Sequence, residues 1–265
     1  MIRLIQLIHI NYKIFILFIK KTGIARSTLC LWVNEKKFPK PIKLSPRITV
    51  WEEDKIENWM KERFFKTYLK DCVPLDERIA IFTAGSSGSG KTEFAEFIIE
   101  QEKNLLHLDI DSIREYFTPL GYDGSNSKLF QKPSSWGVHF LFDEAIKKKG
   151  LSVIMDSNFS SLELARRNIK SLMKRGYNIE VYYIYDHLKK CFLYTKKREA
   201  ITKRVVPEDV FFNSVVKSRE TVITIKKEYG DDIILNLIDK TTNSEYSDIS
   251  VIEFERIIPV FKGEF

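Results

Sequence analysis

The sequence predicts an α/β fold, a parallel sheet flanked by helices, with a small winged helix-turn-helix module at its N-terminal end. Three observations lead there. From residue 78 onward, short β-rich apolar runs alternate with helical stretches. Between the first run and the first helix stands a glycine-rich octapeptide, Gly85 to Thr92. The first quarter of the chain is basic, and prolines at 39, 41 and 46 forbid a helix where two short alternating segments would suit paired strands.

Composition sets the outer bounds. A chain of 265 residues, 44% hydrophobic and 30% charged with 11 Gly and 8 Pro, is globular and excludes collagen-like, linker-dominated and disordered classes. Its length allows one large domain or two unequal ones. Cys30, Cys72 and Cys191 are widely spaced and contain no C-x-x-C, so neither a disulfide framework nor a zinc knuckle is expected, and a reducing cytoplasm fits. The net charge of +7 is localised: residues 1 to 63 hold 13 Lys+Arg against 6 Asp+Glu, and the rest of the chain balances. One end is therefore expected to meet a polyanion.

Met1 to Ile19 is rich in Ile, Leu and Phe, but its longest unbroken apolar run is Ile14 to Ile19. A membrane span needs about 20 apolar residues, and no small-residue cleavage site follows, so stable membrane insertion is not expected. Gly23 then supplies a turn, and Ile24, Leu29 and Leu31 or Trp32 recur at helical spacing, which gives a helix, a turn and a second helix. Ile42 and Leu44, then Ile48 and Val50, alternate as a two-stranded wing. Glu52-Glu53-Asp54 opens an amphipathic helix with Ile56, Trp59 and Met60 inward. Thr22-Gly23-Ile24-Ala25-Arg26-Ser27-Thr28, Phe38-Pro39-Lys40-Pro41 and Trp51-Glu52-Glu53 through Trp59 resemble the AlpA-like winged helix-turn-helix regulators of phage origin. That resemblance implies that Arg26, Ser27 and Thr28 reach base edges of duplex DNA, with Lys36, Lys37, Lys40, Lys43 and Arg47 on phosphates. The expected organisation is a module over 1–65, a connector over 66–77 and a second domain over 78–265.

Arg78 to Ala84 reads as a strand, and Lys91 onward as a helix. The segment between them fits G-x-x-x-x-G-K-[ST] in its required setting. Its glycines let consecutive N–H groups turn toward a phosphate, Lys91 reaches the β/γ oxygens, and the Thr92 hydroxyl holds Mg²⁺. Gly85, Ser86, Ser87, Gly88, Ser89, Gly90, Lys91 and Thr92 are accordingly expected to bind ATP.

Further strands are expected over Asn104 to Asp111, Gly150 to Asp156, Ile179 to Tyr185 and Ile233 to Ile238, with a helix over Leu162 to Arg175 closed by Gly176. No D-x-x-G or N-K-x-D signal of a GTPase accompanies them, and transfer of phosphate to a small molecule is the economical reading. An acceptor hydroxyl must lose a proton as it attacks, so a carboxylate is expected near the loop. Asp109 and Asp111 compete for that role, and either could instead cap the helix that starts at Ser112. The four histidines show no ligand-like spacing, and Trp136, Phe140 and Phe142 suggest an apolar wall.

Several blocks together resemble the zeta toxin family of P-loop kinases, which phosphorylate UDP-activated amino sugars: the loop itself, Leu108-Asp109-Ile110-Asp111-Ser112-Ile113, Phe142-Asp143-Glu144-Ala145-Ile146, Val153 to Asn158, the Leu172 to Val181 segment, and the basic stretch from Phe192 to Pro207. The resemblance implies that Asp111 is the general base, that Glu144, Asp156 and Asn158 bind the sugar nucleotide, and that Arg198 and Arg204 lie over the transferring phosphate. It also implies a cognate antitoxin. Two other functions stay open from the sequence: a polynucleotide 5′-hydroxyl kinase, to which the basic module would deliver DNA ends, and a transcriptional regulator that uses ATP as a signal.

Overall fold

The structure, a computed structural model, describes residues 26–45, 48–60, 62, 68–69, 72–118 and 121–261. The expected first helix, the turn at Gly23 and Arg47 lie outside the described residues. Two compact units emerge, one from Met1–Lys70 with Ile110–Leu141 and the other from Asp71–Asp109 with Phe142–Phe265. The unit that contains the N-terminal elements thus also includes a segment from the middle of the chain.

In the first unit, α1 (Arg26–Asn34) precedes an antiparallel pair, β1 (Ile42–Ser45) and β2 (Ile48–Val50), and then α2 (Glu53–Met60). Of the two inward candidates on α1, Trp32 is buried and Leu31 is exposed. The proline-rich segment holds this module together. Phe38 is buried edge-on to Trp51 and Trp59, with centroids 6.0 and 4.9 Å away. The indole N–H groups of Trp51 and Trp59 donate to the Pro39 and Lys37 carbonyls at 2.7 and 2.8 Å. Chain that cannot be helical leaves carbonyls open, and large side chains with one polar atom satisfy them. The mid-chain part holds α3 (Ile110–Glu115) and most of α4 (Ser127–Glu144), with Phe130 in ring contact with Phe117 and Tyr122.

The second unit is a six-stranded sheet. Its strands are β3 (Ile79–Ala84), β4 (Leu106–Asp109), β5 (Val153–Asp156), β6 (Asn178–Tyr185), β7 (Ile234–Asp239) and β8 (Ser244–Tyr246), in the order β4-β5-β3-β6-β7-β8. All neighbouring pairs are parallel except β7 with β8. The strands are nearly continuous apolar runs, as burial on both faces requires. Helices α5 (Lys91–Gln101), α6 (Leu162–Met173), α7 (Leu188–Thr202), α8 (Glu208–Tyr229) and α9 (Val251–Ile257) accompany them. Ile81, Ala95, Leu105 and Ile154 form one packed core between β3, β5 and α5.

Two details differ from the sequence reading. The strand expected to reach Asp111 stops at Asp109, and Asp111 lies in the first turn of α3. The reason is the register: Asp109 pairs with Asp156, the last residue of β5, so residue 110 has no neighbour with which to continue the ladder. The antiparallel β8 was not anticipated, because it depends on a turn at Thr241 to Asn243 in which Asn243 adopts φ 54°. No helix among the described residues is long and apolar enough to cross a membrane.

Candidate nucleotide site

The site begins where β3 ends. Parallel α/β sheets bind ligands beyond the carboxyl ends of their strands, and Ala84 hands over there to the loop and then to α5. Gly88 has φ 78°, and a Cβ on it would overlap the Cys191 carbonyl and stand 2.9 Å from Thr195 Oγ1. Glycine is required there both by the backbone angle and by the approach of α7. The near arm of the loop is tied to α8: the Gly85 N–H donates to Ser218 Oγ at 2.7 Å and the Ser87 N–H to Ser214 Oγ at 3.4 Å. Asn158 adds a third tie, its carbonyl accepting the Gly85 N–H at 3.4 Å and its amide reaching Ser87 Oγ at 3.5 Å. The far arm runs into the first turn of α5, whose N–H groups have no intrahelical acceptor and form the positive end of the helix dipole.

Lys91 is buried, and its ammonium donates to the Ser86 carbonyl. Burial lowers its pKa to about 8, with the Arg198 charge pushing the same way and Asp156 opposing. Asp156 stands beside Lys91 at the end of β5. Burial would raise its pKa, but His107, the Thr92 and Thr83 hydroxyls and the Lys91 charge outweigh burial and hold the carboxyl below the usual carboxylate range. Thr83 Oγ1 donates to Asp156 Oδ1 at 3.0 Å and accepts the Ser157 N–H at 2.9 Å.

The second carboxylate oxygen of Asp156 is buried without a hydrogen bond, with His107 Nε2 at 3.9 Å. An orphaned carboxylate oxygen beside the Thr92 hydroxyl is a donor set for a hard cation. Among the described residues no three His, Cys, Asp or Glu side chains cluster as a metal cage.

The structure thus brings Lys91, Thr92, Asp156, Asn158 and Arg198 to the loop. The remaining expected residues have other surroundings. Asp109 is buried at the end of β4, across from Asp156. Asp111 is ion-paired with the buried Arg114, which also binds Gln131. Glu144 ends α4 just before a π-helical turn, Ala145–Lys149, and pairs with Lys148. Arg204 follows the left-handed Lys203 that ends α7, and its N–H donates to Thr202 Oγ1 at 3.3 Å. In the N-terminal module Ser27, Lys36 and Lys40 are exposed, whereas Lys37 pairs with Glu35 at 2.8 Å. Trp136 and Phe140 stack at 5.2 Å as a half-buried pair, and Phe142 is buried.

Sequence reasoning missed Thr83, His107, Ser214 and Ser218. The two serines sit four residues apart on one face of α8, a spacing visible in the sequence, but nothing local says that the face meets the loop.

Comparison with known proteins decides the family. The model of the Zeta toxin family matches residues 66–248, more than half of the chain. The chain belongs to the zeta toxin family. It is therefore a P-loop kinase, an ATP-dependent phosphotransferase. Residues 18–64 match the model of the prophage CP4-57 regulatory protein (AlpA). Among solved structures, a component of the PezAT chromosomal toxin–antitoxin system of Streptococcus pneumoniae shares the fold with a TM-score of 0.62 at 14% identity, covering 82% of this chain and 91% of that one. The AvrRxo1-ORF1:AvrRxo1-ORF2 complex with ATP does so with a TM-score of 0.58 at 14% identity, covering 77% and 71%. At these identities the likeness is one of fold. No curated protein matches the chain.

Proposed function

We propose that this zeta toxin family member transfers the γ-phosphoryl group of ATP to a hydroxyl of a UDP-activated amino sugar such as UDP-N-acetylglucosamine. One observation carries the nucleotide half of this reading: a buried lysine of lowered pKa and an orphaned carboxylate oxygen meet on one phosphate loop. Family membership carries the acceptor half.

Lys91 and the loop N–H groups hold the β- and γ-phosphates, and Arg198 and Arg204 neutralise charge that spreads over the transferring group. Thr92 and Asp156 would hold Mg²⁺, which would supply positive charge to offset that of the phosphates. Asp156 belongs in this reading with the phosphates and not with the sugar, because its carboxylate faces Thr92 and Lys91. Asn158 and Glu144 are left as acceptor contacts. Asp111 accepts the hydroxyl proton while that oxygen bonds to the γ-phosphorus and the bond to the β,γ-bridging oxygen breaks, releasing ADP. Arg114 orients Asp111 through their ion pair.

A cognate antitoxin and duplex DNA are the proposed macromolecular partners, the second through Arg26, Ser27, Thr28, Lys36, Lys37 and Lys40. The basic N-terminal module also favours a second reading, a polynucleotide 5′-hydroxyl kinase. Incubating the full chain with labelled ATP and both acceptors separates the two. Label on UDP-N-acetylglucosamine is expected, and label on a 5′-hydroxyl oligonucleotide alone would replace the first reading by the second.

A further inference from the structure

We infer that Lys240 is a second phosphate-binding cation of the nucleotide site, contributed by the turn after β7 and absent from the loop motif. The inference rests on the nucleotide-site reading above and adds a residue to it.

The backbone of Lys240 is fixed at the same edge of the sheet as the loop. Its N–H donates to the Tyr185 carbonyl at 2.9 Å, which extends the β6–β7 ladder one residue beyond Asp239. The neighbouring carboxylate is consumed locally. Asp239 accepts the Thr241 N–H at 2.9 Å and the Thr241 and Thr242 hydroxyls at 2.6 and 2.9 Å. It therefore shapes the turn and does not neutralise Lys240.

The Lys240 side chain instead lies against the loop. A Cβ built on Gly90 would stand 3.2 Å from Lys240 Cε and would overlap its Nζ. Gly90 has φ 94°, so glycine is required there by the backbone and again by the lysine. Glu93 Oε2 is 3.5 Å from the same built position. Among the described residues Lys240 has no ion-pair partner.

An exposed ammonium placed on a loop that already concentrates positive potential is repelled by Lys91 and by the dipole of α5. A bound di- or triphosphate reverses the sign of that interaction. The ligand class is thus the polyphosphate of a nucleoside di- or triphosphate, held between Lys91 on the inner side of the loop and Lys240 at Gly90.

The test titrates the full chain and its Lys240→Met and Lys240→Arg variants with ATP and with inorganic tripolyphosphate. Charge-assisted hydrogen bonds to phosphate are the strong ones, so Lys240→Met should weaken both ligands about tenfold and Lys240→Arg should keep most of the affinity. Unchanged ATP affinity in Lys240→Met overturns the inference while leaving the nucleotide site standing. Weakened ATP with unchanged tripolyphosphate overturns the phosphate assignment. A wild-type chain that binds neither ligand removes the nucleotide site itself, and this inference with it.

Discussion

The phosphate loop and α7, which approach each other at Gly88, are built in opposite ways. On the loop side, Gly85 and Ser87 pair with the α8 serines, Thr83 with Asp156 and Lys91 with Ser86, while Ser89 Oγ and one Asp156 oxygen are buried without a hydrogen bond. On α7, Arg198 is exposed and acts on Lys91, and on a separate face Lys190 and Lys197 flank the exposed ring of Tyr194 at 5.8 and 5.7 Å from its centroid. Between them, Cys191 and Thr195 are buried against Gly88, and burial pushes the Cys191 thiol up, so that it packs as a neutral group. The loop is held by hydrogen bonds within the protein, whereas α7 carries its charges on accessible side chains, with Lys190 paired to Asp186 and Lys196 to Glu199.

Four substitutions probe this contrast, in order of expected effect. Lys91→Ala removes the charge on which transfer depends, and a coupled assay should show turnover reduced on the order of 10³-fold. Asp111→Asn should lower kcat about 10²-fold with ATP affinity nearly unchanged, if Asp111 takes the acceptor proton. Near wild-type turnover there, with a collapse in Asp109→Asn, would move the base to the end of β4. Arg198→Ala should cost about tenfold in kcat with little change in apo stability, since the side chain is exposed and acts on the transferring phosphate. Ser218→Ala leaves the Gly85 N–H with only the longer Asn158 contact; it should raise KM for ATP severalfold and cost about 1 kcal/mol in chemical unfolding. If Ser218→Ala proves harmless and Arg198→Ala unfolds the protein, the contrast is wrong in both halves.

The loop was legible because its information is local: strand, glycines, Lys91, Thr92 and helix follow one another in the chain. The strand order was not, because β3 lies between β5 and β6 through pairings some 70 to 100 residues distant in sequence. The family resemblance puts Asp156 with the acceptor by position alone. Only the placement of β5 beside β3 shows its carboxylate meeting Thr83, Thr92 and Lys91. The strand expected over Asn104 to Asp111 stops at Asp109 because the end of β5 at Asp156, invisible locally, leaves residue 110 without a partner. Lys240 escaped notice for the same reason as Ser214 and Ser218: each is unremarkable in sequence and acts only where its element meets the loop.

In the free protein burial disfavours the charged form of Lys91, bound phosphate is expected to restore it, and protons report on that directly. Lys91 has a pKa of about 8 in the free protein, where burial and Arg198 lower it and Asp156, Cys191 and Glu93 oppose them. Unfolded, it titrates near 10.5, so between these values the unfolded chain carries the extra proton, and the free protein gains stability as pH rises from about 8 to 10.5. Bound phosphate restores the charged form, so ATP affinity should fall above about pH 8. Calorimetric titration of the full chain with ATP at about pH 9, in two buffers of different ionisation enthalpy, should show uptake of close to one proton that disappears in Lys91→Met. ATP binding without proton uptake would contradict the claim.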